Sequence, residues 1–171
     1  MSDRKVNIQI DVLSIGEMKS SNRKENLKES FIELAGKVAF LHQAQDSRYA
    51  TLCIRVLGKD VIFMLFDRGG SLSTQAIHMH ASPELFLHIL LRVTFVPRTT
   101  LGFDSTVHEV KNKTRDIEVT LISRNTTINV NELLFISGSL HSRGTTVWSG
   151  TLTLSGETQD VVVKDLFIDP L

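Results

Sequence analysis

With 171 residues, 42% of them hydrophobic, the chain has material for one ordinary domain or two small ones around a real core. Its 19 basic and 19 acidic side chains cancel, which excludes a net field that would draw the chain onto nucleic acid or an anionic membrane. A single cysteine, Cys53, excludes an internal disulfide and a cysteine-based structural zinc site.

Every apolar run falls far short of the ~20 residues that a membrane helix needs, and "MSDRKVNIQI" lacks the long apolar core of a signal peptide. A cytosolic or nuclear location is expected, where the sequons at Asn112 and Asn125 go unused.

The opening stretch "VNIQIDVLSIGEMK" alternates polar and apolar residues and predicts a strand ending near Gly16 or just beyond. Ser20, Ser21 and Asn22 offer helix caps. Leu27, Phe31, Leu34, Val38 and Leu41 then recur at helical spacing, so an amphipathic helix is predicted over roughly residues 23 to 44. "YATLCIRVL" and "VIFMLF", joined by Gly58-Lys59-Asp60, predict an antiparallel hairpin. "SLSTQAIHMH" reads as a third strand. Ser82 and Pro83 then open a helix, "ELFLHILLRVTFV", whose apolar residues on most sides predict burial.

After Pro97 a polar connector leads only to strand signals: "DIEVTLIS", "INVNELLFIS", "TTVWSGTLTLS" and "DVVVKDLF". The expected fold class is therefore α+β. Residues 1–105 form a small mixed module of strands and two helices, and residues 106–171 an incomplete antiparallel β lobe.

Several pieces in this order carry a resemblance: "IGEMKSS" before a long helix, "AQDSRYATLCIRVLGKDVIFMLFDRGG", the apolar helix, "LGFDSTV", and "SRGTTVWSG" leading to "VVVKD". Together they resemble the fungal-type protein kinase family, whose members carry a module of their own ahead of the kinase lobe. The resemblance implies that the second part opens a kinase N-lobe. There two strands fold a glycine-containing turn over the ATP phosphates and a third strand aims a lysine at them. The turn would be "SGSLHSRGTTVWSG", with Gly138 and Gly144, the lysine Lys164, and the residue covering adenine Val147. With Val147 so aligned, Leu140, Ser142 and Thr145 stand where a standard kinase has its three glycines.

ATP and Mg²⁺ are the cofactors of the resembled full-length family, which transfers phosphate to protein serine and threonine. This chain has no catalytic-loop aspartate and no D-F-G motif after Lys164. It is expected to be a fragment or truncated member, inactive alone and binding neither cofactor tightly. The expected partners are a protein or the remainder of the kinase. Val161, Val163 and Phe167 on an unpaired terminal strand predict self-association or packing of the tail onto the first module.

Two other classes compete. One is a noncatalytic protein-interaction module in residues 1–105. The other is a degenerate restriction-endonuclease-like domain, because Glu17-x-Lys19 at a strand end puts carboxylate and ammonium on one face, as metal-dependent nucleases require; the acidic ligand on a preceding strand is missing, Asp3 and Asp11 being misplaced for it. His78, His80 and His108 could share a metal but read as surface or capping histidines. Cys53 reads as an inert core residue and Trp148 as lobe packing.

Overall fold

The computed structural model describes residues 12–109, 115–121 and 124–167. The first part of the predicted opening strand, with Asp3 and Asp11, and the sequon at Asn112 lie outside these. The described residues form an α+β fold of two helices and ten strands in two five-stranded sheets.

In the first sheet β1 (Ile15–Lys19) lies parallel to β2 (Ala50–Leu57), with Cys53 opposite Ile15 and Leu57 opposite Lys19. Parallel neighbours need a long crossover, and α1 (Lys24–Ala44) supplies it. The helix has the predicted extent, but its N-cap is Arg23 without a side-chain cap bond. Ser21 instead accepts from the Asn26 side-chain amide. β3 (Asp60–Asp67) closes the predicted antiparallel hairpin, pairing Thr51 with Phe66 and Cys53 with Met64. The stretch read as one further strand divides into β4 (Ser71–Ser73) and β5 (Ile77–His78), which pair with opposite ends of β3.

Alternation along β2 turns Thr51, Cys53, Arg55 and Leu57 toward buried surroundings. Leu34 and Val38 of α1 pack with Cys53, Met64 and Phe66, and Phe31 tilts against the Phe66 ring at 5.6 Å. Desolvation in this core pushes the Cys53 thiol up to about 12, which leaves it a protonated, unreactive packing group. Arg55 is buried below the helix, where its guanidinium donates to Leu27 O and Ser30 Oγ.

The second helix, α2 (Pro83–Phe95), departs from expectation. None of its residues is buried, and Leu85, Leu87, Leu91 and Phe95 are 50–79% exposed. Apolar residues on most sides were the reason to predict burial, but only Phe86, Ile89, Leu90 and Val93 are half-covered. α2 and a short 3₁₀ turn (Arg98–Leu101) lead to the second sheet. Among the described residues no helix is long and apolar enough to cross a membrane.

The second sheet is an antiparallel meander of β6 (Val107–Glu109), β7 (Arg115–Leu121), β8 (Arg124–Ile136), β9 (Thr146–Leu154) and β10 (Glu157–Asp165), with β10 at one edge. β6 lies within the stretch read as a polar connector. Trp148 and Leu152 turn inward from β9, and the Trp148 indole donates to Asp46 Oδ2 at 3.0 Å. Trp148 thus ties the second sheet to the segment that follows α1.

At the end of α1, His42 is wholly buried, with Nε2 2.9 Å from Thr51 Oγ1 and no hydrogen-bond partner for Nδ1. Desolvation first, and then Arg68 and Arg48, push its pKa down to about 3. The unfolded chain takes up this proton near pH 6.5, so the folded state loses stability as pH falls from there toward 3. Urea unfolding across that window should show a His42 contribution lost at up to about 1.4 kcal/mol per pH unit. In His42→Gln the extra slope above the carboxylate range should vanish; an unchanged slope would show that another group carries it.

Candidate functional site

The predicted lysine and valine meet across one strand pair. Lys164 of β10 stands directly opposite Val147 of β9, and on the other side of Val147 stands Phe135 of β8. Residues directly opposite in an antiparallel pair share a face, so an exposed ammonium, a half-buried valine and a 54%-exposed phenylalanine lie in a row. Two positions along, and so on the same face, Val162 of β10 faces Ser149 of β9 and is 66% exposed. The row offers an apolar bed ending in a cation.

The glycine-containing loop, residues 137–145, joins β8 to β9 at the end of the sheet where Val147 and Lys164 pair. It is fastened to the first sheet and its helix. Gly138 O accepts from the Gln43 side chain at 2.8 Å, and Ser139 O accepts from the Arg68 guanidinium. Leu140 is 8% exposed and belongs to the cluster of Leu34, Val38, Cys53, Met64 and Phe66. A loop residue of the second sheet is here a core side chain beneath α1 and the first sheet.

Gly144 has φ +55°, and a Cβ there would lie 2.7 Å from Arg68 Nε. Its backbone N–H donates to Ser142 Oγ at 3.1 Å. Phe167, just past β10, donates its N–H to Arg143 O at 2.7 Å, so the tail returns to the loop.

A cavity of about 180 Å³ opens beside the loop and the tail, lined by Arg48, Arg68, Asp104, Gly144, Asp165 and Phe167 among others. Desolvation there, and then the charge of Asp104, hold the Asp165 carboxyl above its ordinary range. Arg48 is committed to structure. Its guanidinium donates to Val12 O, Leu13 O, Ala50 O, Leu101 O and Gln45 Oε1, and lies over the Phe103 ring at 4.5 Å.

Glu17 and Lys19 do share a strand face, and both are engaged by α1. Glu17 is buried against Lys37, whose ammonium holds the carboxyl below its usual range. Lys19 pairs with Glu33 at 3.0 Å and Glu29 at 3.5 Å. The His78 and His80 rings meet edge-on at 6.1 Å, but His78 Nδ1 accepts from Ala81 N–H, while His108 lies on β6 in the other sheet. Among the described residues no three His, Cys, Asp or Glu side chains are placed to hold a metal ion.

A family model described as fungal protein kinase matches residues 1–170, essentially the whole sequence. The chain belongs to the fungal protein kinase family. No curated protein and no solved structure matches it. Within this kinase-like chain the sequence placed Val147 and Lys164 on two strands joined by a hairpin and Leu140 in the loop, while the hold of Gln43 and Arg68 on that loop and the burial of Leu140 were not foreseen.

The loop contacts predict unequal tolerance of alanine. Gly144→Ala puts a side chain in left-handed backbone, which costs roughly 1–2 kcal/mol, and also displaces Arg68. Gly138→Ala meets only the flexible end of Gln43 at 3.2 Å and should cost less than about 1 kcal/mol. Urea midpoints will decide the order; equal values would show that Arg68 does not confine the loop at Gly144.

Proposed function

We propose that the chain is an N-terminal part of a fungal-type protein kinase, presenting the first strands of its nucleotide-binding lobe behind an upstream module, with the division at residues 105 and 106. The observation that carries this reading is the direct pairing of Lys164 with Val147. In a kinase-type lobe the valine lies on the purine face and the lysine near the α- and β-phosphates. The residues present fit such a ligand in part: the row Phe135, Val147, Val162 and Lys164 supplies an apolar bed and one cation.

The loop contributes less. Gly138 and Ser139 spend their carbonyl oxygens on Gln43 and Arg68, and Leu140 is buried away from solvent. ATP with Mg²⁺ would supply the transferable phosphoryl group when bound. Lys164 would neutralise phosphate charge, and Val147 would exclude water from the purine. Positioning of the acceptor hydroxyl and of the metal falls in kinases to H-R-D and D-F-G motifs, and these 171 residues contain neither. Alone, the chain binds nucleotide weakly and transfers no phosphate.

An adenosine analogue carrying a sulfonyl fluoride, followed by peptide mapping, tests the assignment even at weak affinity. Lys164 should be labelled ahead of other exposed lysines, and millimolar ATP should protect it. Uniform labelling of surface lysines without protection would contradict the reading. In parallel, calorimetry with ATP and Mg²⁺ should find no low-micromolar site, and labelled phosphate should not enter a generic protein substrate above the level of Lys164→Ala. A tight site or such incorporation would overturn the claim of inactivity.

A further inference from the structure

The helix α2 leaves an apolar face bare. About His88 the sequence Glu84-Leu-Phe-Leu-His-Ile-Leu-Leu-Arg92 is self-complementary when reversed. Leu85 and Leu91 stand three residues to either side, and the opposite charges Glu84 and Arg92 stand four to either side. At 100° per residue, Glu84, Leu87, His88, Leu91 and Phe95 fall on one helical face, with Leu85 and Arg92 beside it. All seven are exposed, whereas Phe86, Ile89, Leu90 and Val93 fall on the opposite, half-covered face.

We propose that α2 is a homodimer interface, in which two copies pair antiparallel about a two-fold axis near His88. In that arrangement Glu84 of each copy faces Arg92 of its partner, and Leu85 faces Leu91. Such a contact is isologous, so one patch serves both chains and the assembly closes at two. Opposite charges at equal distances from the axis also fix the antiparallel sense, because a parallel pairing would set like charges together.

Size supports the same occupant. An exposed leucine of this kind offers roughly 100 Å² of apolar surface, and a largely exposed Phe95 somewhat more. Leu85, Leu87, Leu91 and Phe95 from both copies therefore bury on the order of 1,000 Å², where specific interfaces begin. Packing one copy's helix against a fully polar surface would leave half of that gain unused. The inference stands on α2 alone and does not depend on the nucleotide-site reading.

Light scattering after size exclusion, with sedimentation equilibrium, tests it on the full chain. The wild type should be dimeric at tens of micromolar. Leu87→Asp with Leu91→Asp should be monomeric with an unchanged far-UV circular dichroism spectrum. Glu84→Arg should weaken the dimer at least tenfold, and Glu84→Arg with Arg92→Glu should recover most of that loss. The charge swap keeps the test valid if the aspartate variant unfolds. A monomeric wild type would overturn the proposal, as would a dimer insensitive to Glu84→Arg but lost in Val162→Lys, which would place association on the β10 edge.

Discussion

Insertion of Leu140 into the core beneath α1 is the contact on which the arrangement of this chain rests. The residue belongs to the β8–β9 loop of the second sheet, yet its neighbours are Leu34 and Val38 of α1 and Cys53, Met64 and Phe66 of the first sheet. Apolar burial alone is non-directional. Direction comes from the two polar contacts before it in sequence, where Gln43 and Arg68 fix the carbonyls of Gly138 and Ser139. Asp46 adds a third tie through the Trp148 indole. The β8–β9 loop is thereby the peg that joins sheet to sheet.

Buried arginines recur as the means of fixing backbone. Arg48, Arg55 and Arg68 are each less than 10% exposed, and the oxygens that receive their hydrogen bonds are mainly main-chain carbonyls rather than carboxylates. A buried guanidinium favours sites where its donors find acceptors, so Arg48 fixes four carbonyls, while Arg55 and Arg68 each fix one. Arg48 ties the lead-in to β1, the start of β2 and the 3₁₀ turn; Arg55 ties the start of α1 to the sheet; Arg68 ties the loop. Burial chiefly keeps His42 neutral, and the charges of Arg68 and Arg48 act in the same direction.

Local patterns carried the sequence reading furthest where periodicity and turn chemistry agreed. The stripe from Leu27 to Leu41 yielded α1, and Gly58 between two apolar runs yielded the β2–β3 hairpin. The strand bearing Lys164 was legible because β-branched residues leave few alternatives. Failure came where a tertiary partner decides. The all-round apolar pattern of α2 states that cover is needed and cannot state what supplies it, and β6 within the connector is too short to show a period. Ser71 to His78 divides because β3 offers pairing at both ends of its edge. For the candidate site, spacing left room for a hairpin between Val147 and Lys164 without fixing which residues pair, whereas the buried role of Leu140 required knowledge of a core more than seventy residues away in the chain.

Hydrogen exchange in Leu34→Ala, read by mass spectrometry over the β9–β10 hairpin, tests the joining of the two sheets most directly. Leu34 lies wholly within the first unit's core and is no part of the second sheet. If Leu140 couples the sheets, amides of residues 146–165 should exchange faster in step with those of β2 and β3. Faster exchange confined to β2 and β3, with the hairpin unchanged, would contradict that coupling.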